Sequence, residues 1–373
     1  MADSCVAAPG VAEYAPPSGT DTSNDTRMTA EKPDARTRVT LSMIASEAGV
    51  SVSTVSKVLH GRSDISTDTK DRVEAVMEHL GYQRRPPRRR GAVIDLVLNE
   101  LDSLWSVEII RGVDEVLHEA GASMVLSAVH GRSSDTREWI DQLAARRSNG
   151  AILVVSDLTP QQRKRLAALE VPFVLLDPVG SVDALVPTVG ATNWAGAVSA
   201  TRHLIDLGHT RIAHLAGPRH VLCSRARADG FRATMESAEL PVPAGWVPHG
   251  EFNDASGRAE TVRLLDAAEA AGEAPPTAVF AASDLQALGA FEALRERGYA
   301  IPDDVGLVGF DDLPVARWTH PPLTTVRQPL QDMASMAAHT LLRIIDGEPA
   351  DRLRLELPTQ LVVRGSTARR ATP

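Results

Sequence analysis

The stretch VTLSMIASEAGVSVSTVSKVLHGRSDISTDTKDRVEAVMEHLGY, residues 39–82, decides the reading of this chain. Leu41, Ile44, Ala45 and Ala48 recur at helical spacing, Gly49 interrupts them, and Ser51 opens a second run that carries Val55, Val58 and Leu59. Gly49 tolerates the positive φ of a tight turn, and Ser51 is placed to accept from the orphan amides of the second helix. Ala45, small and four residues before Gly49, lets the two helices cross closely. A third helix is predicted after Ser66, another capping residue, with Asp68 and Asp71 in its dipole-favoured first turn and Val73, Val76, Met77 and Leu80 on one face. Three short helices around one small core are the expected local structure.

Charge is unevenly distributed around this stretch. The 373 residues carry a formal charge of -9, yet residues 38–90 hold 10 Lys+Arg against 6 Asp+Glu, whereas residues 91–373 hold 26 against 36. A basic module ending in Arg84, Arg85, Arg88, Arg89 and Arg90 therefore precedes a large acidic body, the layout of a phosphate-binding head on a sensor or enzyme. With the apolar set buried, Val52, Ser53, Ser56, Lys57 and His60 remain on the outer face of the second helix, where side chains of a helix-turn-helix reach base edges in a major groove. Thr40, Ser51 and Thr54 are placed for phosphates, and Leu41 at the start of the first helix joins the expected DNA-facing set. Residues 1–37, rich in Pro, Gly, Ser, Thr and Asp and without a period, are expected to be a disordered tail.

After Gly91 the rhythm changes. Apolar runs at 92–98 (AVIDLVL), 122–128 (ASMVLSA), 150–155 (GAILVV) and 171–176 (VPFVLL) alternate with helical segments around 106–120, 135–147 and 160–169. The same rhythm restarts with strands at 211–216 (RIAHLA), 277–282 (TAVFAA) and 305–310 (VGLVGF) between helices near 194–207, 223–238, 255–271 and 284–297. Such alternation predicts two lobes, each a parallel sheet flanked by helices, with ligands beyond the carboxyl ends of the strands.

Residues 39–82 resemble the DNA-binding head of the lac/gal repressor family, LacI/GalR, whose heads read V-T-x-x-x-[IV]-A-x-x-A-G-V-S-x-x-T-V-S-[RK]-V-L-[NH]. Downstream, GHTRIAHLAG (208–217), SRARADGF (224–231), ASDLQALGAFEALRERG (282–298), IPDDVGLVGFDDLPVARW (301–318) and PPLTTVRQP (321–329) resemble the family's effector domain in order and spacing. The resemblance covers 39 to about 367. It implies a small all-α helix-turn-helix head on an α/β, two-lobed, periplasmic-binding-protein-like body, working as a homodimeric repressor that binds a palindromic operator in double-stranded DNA and is switched by a small, sugar-like effector between the lobes. The expected parts are the head over 38–82, a basic linker over 83–91 and an effector-binding and dimerisation domain over 92–373. Within that domain the expected first lobe takes about 92–190 plus 316–327, and the second about 191–315 plus 328–373. Lys57 stands where the family often has Arg and lacks the bidentate fork that Arg presents to guanine. The linker, QRRPPRRRGAV over 83–93, has two prolines and no leucine where the family carries a hinge helix with a leucine wedge, so Arg88, Arg89 and Arg90 are expected to enter or flank the minor groove instead.

The resemblance also assigns an effector pocket to Trp105, Asp177, Arg227, Phe252, Ser283, Asp284 and Asp311. Their chemistry suits a polyol: carboxylates accept from hydroxyls, a guanidinium donates, and an aromatic ring covers the apolar face of a sugar. Leu104 stands where a Pro is common before the aromatic, and Ser283 where Asn is common before Asp284. His203, His209, His214 and His220 have no metal-ligand spacing and are expected in surface and turn roles, and Asp303 with Asp304 is separated from Asp311 with Asp312 by a strand, so neither a metal site, a cofactor nor a catalytic pair is expected. Cys5 and Cys223 are read as unpaired thiols of a reducing, cytoplasmic setting; neither an export signal nor a membrane span is read. The competing reading is a free-standing sugar-binding protein, or an enzyme, on the same two-lobed fold; residues 39–82 have no use in either.

Overall fold

The computed structural model describes residues 41–51, 54–55, 58, 65–80, 91–101, 103–129, 138–154, 159–179, 185–350 and 353–369, and the chain forms two compact units, 1–84 and 85–373. The tail expected over 1–37 and all of the linker expected over 83–91 except Gly91 lie outside the described residues.

In the first unit, α1 (Leu41–Ala48) ends at Gly49 with φ 63°. The chain then turns through a bond from the Val50 amide to the Ala45 carbonyl, 3.0 Å, and re-enters helix at Thr54, Val55 and Val58. After Ser66, whose hydroxyl accepts from the Thr69 amide, comes α2 (Thr67–His79). Ile44, Ala45, Ala48, Val55, Val58 and Val73 are buried together, with Val50, Val76, Met77 and Leu80 packed on them. This is the three-helix core that the apolar spacing predicts.

The second unit has two lobes. The first contains β1 (Val93–Leu98), α3 (Leu104–Ala120), β2 (Ser123–Ala128), α4 (Glu138–Arg146), β3 (Gly150–Val154), α5 (Pro160–Ala168), β4 (Phe173–Leu176) and β5 (Thr188–Ala191). The second contains α6 (Asn193–Asp206), β6 (Ile212–Leu215), α7 (Leu222–Ser237), α8 (Asp254–Ala270), β7 (Ala278–Ala281), α9 (Asp284–Glu296), β8 (Gly306–Asp311), a 3₁₀ turn (Pro314–Arg317) and β9 (Thr324–Arg327). Three further elements close the chain: α10 (Leu330–Ile345), β10 (Arg354–Leu357) and β11 (Gln360–Val362). The first sheet, in the order β10-β5-β4-β3-β1-β2, is parallel throughout; the second, β11-β9-β8-β7-β6, is parallel except for β11. Central strands such as β3 and β8 are buried along their whole length, as sheets covered on both faces require.

The division expected for the carboxyl-terminal third is reversed for β9, α10 and β10, whereas β11 pairs with β9 and lies in the second lobe as expected. Residues 324–327 pair with β8 and belong to the second lobe, not the first. Residues 330–345 and 354–357, expected in the second lobe, belong to the first: α10 buries Leu330, Met333, Ala334, Ala337, Ala338 and Leu341 in the first lobe's core, and β10 pairs with β5. That apolar set falls at helical spacing, and Met333 and Leu341, both fully buried, each contribute about 1.5–3 kcal/mol. The chain thus crosses between lobes three times: at Thr192, at Gln328–Pro329 and at Pro358–Thr359. Close helix contacts fix the lobes internally. A Cβ on Gly289 of α9 would stand 1.9 Å from the Asp254 carbonyl of α8, and one on Gly112 of α3 would stand 2.4 Å from the Gln331 carbonyl of α10.

Candidate functional site

The carboxyl ends of β4 in the first lobe and β8 in the second bring their aspartates close enough to interact. At the carboxyl end of β4 lies Asp177, and at the carboxyl end of β8 lies Asp311, with φ of 49° and 115°; non-glycine residues in the left-handed region store strain and cluster at binding sites. Between them stands Arg227, on the inner face of α7 and 2% exposed. Its Nε donates to Asn193 Oδ1 at 2.9 Å, Nη1 donates to the Ala282 carbonyl, and Nη1 lies 3.7 Å from Asp311 Oδ1. The guanidinium sits 3.7 Å from the centre of the Phe310 ring and 5.7 Å from that of Phe252. Asp311 Oδ1 also accepts from Gln328 Nε2 at 2.6 Å.

Burial dominates the electrostatics here. Desolvation pushes the Asp311 carboxyl up to about 6, with Arg227 and the Gln328 bond holding it down and Asp177 pushing it further up. Asp177 is raised by the same cause, offset by Arg227 and by the Cys223 thiol that donates to it. Two carboxyls and one guanidinium in a dry site favour a partner rich in hydroxyls, which can donate to the acids and accept from the arginine.

The lobes touch at this point. Val179, just beyond Asp177, packs with Val221, Cys223 and Phe252 of the second lobe, and its carbonyl accepts from the Leu222 amide at 3.0 Å. Phe252 is held by Gly217, where any Cβ would come within 2.3 Å of the ring. Burial, reinforced by Asp177, raises the Cys223 thiol far above its ordinary range, so this cysteine stays protonated.

Of the seven residues expected in the pocket, the structure brings Asp177, Arg227, Phe252 and Asp311 together. Ser283 and Asp284 have other employment. The Ser283 hydroxyl caps α9 by accepting from the Gln286 amide at 3.1 Å. Fully buried Asp284 accepts from the Leu313 amide at 2.7 Å through one oxygen and from the Thr325 hydroxyl at 2.5 Å through the other. Desolvation raises its carboxyl well above the ordinary range, and the neighbouring Asp311 raises it further. It braces the segment that presents Asp311. Trp105 packs on the first lobe's core in the first turn of α3, its amide donating to Ser103 Oγ at 3.2 Å. Asn193, Phe310, Gln328 and Cys223 were not foreseen. Neither Asn193, two residues beyond the end of the short strand β5, nor Gln328, just ahead of Pro329, carries a local signal in the sequence.

Beside Asp311, on the side of the second crossing, a cavity of about 430 Å³ opens between Glu108 of α3, the segment 311–318 and residues 327–332. It shares only Asp311 with the expected pocket. Among the described residues no group of three or more His, Cys, Asp or Glu is arranged to hold a metal ion. His209 and His214, expected in surface and turn roles, are core residues. His214 lies in β6, stacked on Phe231 and Phe280, donates to or accepts from nothing through Nε2, and is driven down to about 3 by burial, so it is neutral. Asp312 pairs with Arg327 and Arg364, tying the last strand segment to β9.

In the head, Ser51 Oγ accepts from the Thr54 amide at 3.1 Å and shares a hydrogen bond of 2.8 Å with the Thr54 hydroxyl, the cap expected of it. Leu41 opens α1. Thr40, Val52, Ser53, Ser56, Lys57, His60, Arg88, Arg89 and Arg90 lie outside the described residues. No helix among the described residues is long and apolar enough to cross a membrane.

Comparison with known proteins agrees with this anatomy. Residues 40–85 match the model of bacterial regulatory proteins of the lacI family, and residues 201–367 match a periplasmic binding protein-like domain. The chain is 36% identical over 341 residues to the HTH-type transcriptional regulator MalR of Streptomyces coelicolor, covering 88% of this chain and 96% of that one. Among solved structures, a complex of the transcriptional regulator CelR with cellobiose superposes with a TM-score of 0.68 at 34% identity, covering 88% of this chain and all of that one. The lac repressor dimer bound to operator and the anti-inducer ONPF gives 0.64 at 30% identity, with 88% and 99% covered. These relatives are transcriptional regulators rather than enzymes. With a head, a two-lobed body and near-complete relatives all in agreement, the chain belongs to the lacI family of bacterial regulatory proteins.

Proposed function

We propose that this chain is an operator-binding transcriptional repressor, active as a homodimer, that leaves its palindromic site when a sugar-like effector seats between the lobes on Asp177, Arg227, Phe252 and Asp311. The observation that carries this reading is the buried cluster at the lobe boundary. One lobe contributes a carboxylate, and the other contributes a carboxylate, a guanidinium and an aromatic ring. A pyranose ring meets those needs: its hydroxyls bridge acids and arginine while its apolar face lies on Phe252. Because the groups come from both lobes, binding is sensitive to the angle between them. A ligand shifts such an equilibrium only through its difference in affinity for the two states, so an inducer favours the state that does not hold DNA. The Ser51-capped turn of the head and the operator complex of the lac repressor support the DNA-binding half of the reading, and the CelR–cellobiose complex supports the sugar-binding half.

The test is selection from a random DNA pool at about 150 mM salt, where screening weakens sequence-independent phosphate binding. The expected product is an enriched palindrome that a panel of mono- and disaccharides then releases. Salt-sensitive binding without enrichment contradicts the reading, and so does turnover of any panel sugar.

A further inference from the structure

We propose that Asn193 and Gln328 are positioning residues that tie the two ionic groups of the interlobe pocket to two of the chain's three crossings, so that whatever occupies Arg227 and Asp311 sets the angle between the lobes. This rests on reading the pocket as the effector site. Asn193 directly follows the first crossing and is 8% exposed. Its Oδ1 accepts from Arg227 Nε at 2.9 Å, and its Nδ2 donates to the carbonyl of Ala191, the last residue of β5, at 3.1 Å. One carboxamide therefore holds a second-lobe guanidinium and a first-lobe strand end together. Gln328, on the second crossing and 3% exposed, holds Asp311 through the 2.6 Å bond from Nε2, its own amide donates to the Asp311 carbonyl at 3.3 Å, and its carbonyl accepts from the amide of Leu330, the first residue of α10 in the first lobe, at 2.9 Å.

The third crossing is joined to the first. The Thr359 amide donates to Thr192 Oγ1 at 2.9 Å, and the Thr192 amide donates to the Leu357 carbonyl at 3.0 Å. Phe310, under the Arg227 guanidinium, reaches the same place: a Cβ on Gly196 would lie 2.9 Å from its ring and 2.8 Å from Thr359 Oγ1. Arginine, ring, helix and crossing are in contact without space for one methyl group, and close-packed groups of this kind move between discrete arrangements rather than yielding gradually. Gln328 Oε1 is buried without a hydrogen-bond partner, an expensive state that a second hinge arrangement can relieve. Plain structural anchoring explains neither the pairing of each amide with a different pocket ion nor the placement of both on crossings.

The experiment is a double-mutant cycle on the full chain, read as affinity for the palindrome enriched from the random pool, without any sugar. Arg227→Met is expected to change operator affinity about ten-fold in the parent. In an Asn193→Asp background, which keeps the acceptor for arginine and loses the donor to Ala191, the same change is expected to move affinity less than about two-fold. Asp311→Asn against Gln328→Met follows the same pattern. Arg227→Lys, which keeps the cation and loses the Nε donor, replaces Arg227→Met should that variant not fold. Equal effects in both backgrounds overturn the tether while leaving the DNA-binding reading intact. Failure to enrich any sequence overturns that reading, and the tether falls with it.

Discussion

Replacing Arg227 with Met keeps the length of the buried stem and removes its charge and donors. In the native protein the guanidinium serves Asn193 Oδ1, the Ala282 carbonyl and, at 3.7 Å, Asp311. Removing one member of a buried ionic group costs about 3–5 kcal/mol, because the partners stay behind without water or counter-charge. For a body of this size each kcal/mol moves the melting midpoint by roughly 2–4 °C, so a drop on the order of 10 °C is expected. The drop must also depend on pH in a set direction. Asp311 titrates at about 6 in the fold against 3.8 in its ordinary state, so it favours the fold fully below pH 3.8 and loses that advantage as pH rises to about 6. That span is worth ~3 kcal/mol, and above it the parent is flat with respect to this group. Without Arg227, which lowers it, the Asp311 carboxyl rises above 6 and the loss continues through neutrality at up to ~1.4 kcal/mol per pH unit. Melting followed by far-ultraviolet circular dichroism at pH 5, 6, 7 and 8 and constant ionic strength reads the difference between variant and parent, in which groups common to both cancel. A gap that widens from pH 6 to 8 is the expected result. A gap under about 2 °C, or one that is constant with pH, refutes the electrostatic reasoning.

Other consequences are checked one residue at a time. Phe252→Ala should weaken binding of the releasing sugar roughly ten-fold by calorimetry, since it removes the apolar face offered to the sugar ring; an unchanged affinity contradicts that placement. Gly289→Ala should lower the melting midpoint of the body by several degrees, about 1–3 kcal/mol, because its Cβ would meet the Asp254 carbonyl at 1.9 Å; an unchanged midpoint contradicts the close α8–α9 packing. Ser51→Ala removes the acceptor for the Thr54 amide and should cost about 1 kcal/mol, seen as roughly five-fold faster hydrogen exchange at Thr54. In a Cys5→Ser background, Cys223 should resist iodoacetamide at pH 8 until denaturant is added, since its thiol is buried and held protonated; rapid labelling of the folded chain counts against that environment.

How much of this was legible in the sequence depends on the range of the interactions involved. GAILVV at 150–155 became β3, and the capped turn at Gly49 and Ser51 formed as its residues demand, because apolar runs and left-handed turns are local facts. The short strand TVGA, β5, has a glycine in four residues, and RLEL, β10, is exposed at alternate positions, so neither stands out as a strand. Which lobe a late segment joins is not a local property at all. TTVR at 324–327 could pair with either sheet by pattern, and its place beside β8 follows from where the chain last crossed. The site shows the same division. Arg227 and Asp311 were located by resemblance, and their clustering is observed. Asn193 and Gln328 were not, since the partners that give them meaning lie 34 and 17 residues away. Ser283 and Asp284 follow the ordinary rule for polar residues after a strand, which is to cap and brace the helix that begins there.

The most direct test of the account is operator affinity at fixed salt, with and without a saturating sugar, paired with calorimetry of the same sugar against free protein and against the protein–operator complex. The account predicts that one sugar weakens operator binding at least ten-fold, and that the complex binds this sugar more weakly than the free protein by the same factor, as linkage requires. A sugar that binds between the lobes and leaves operator affinity unchanged would contradict it.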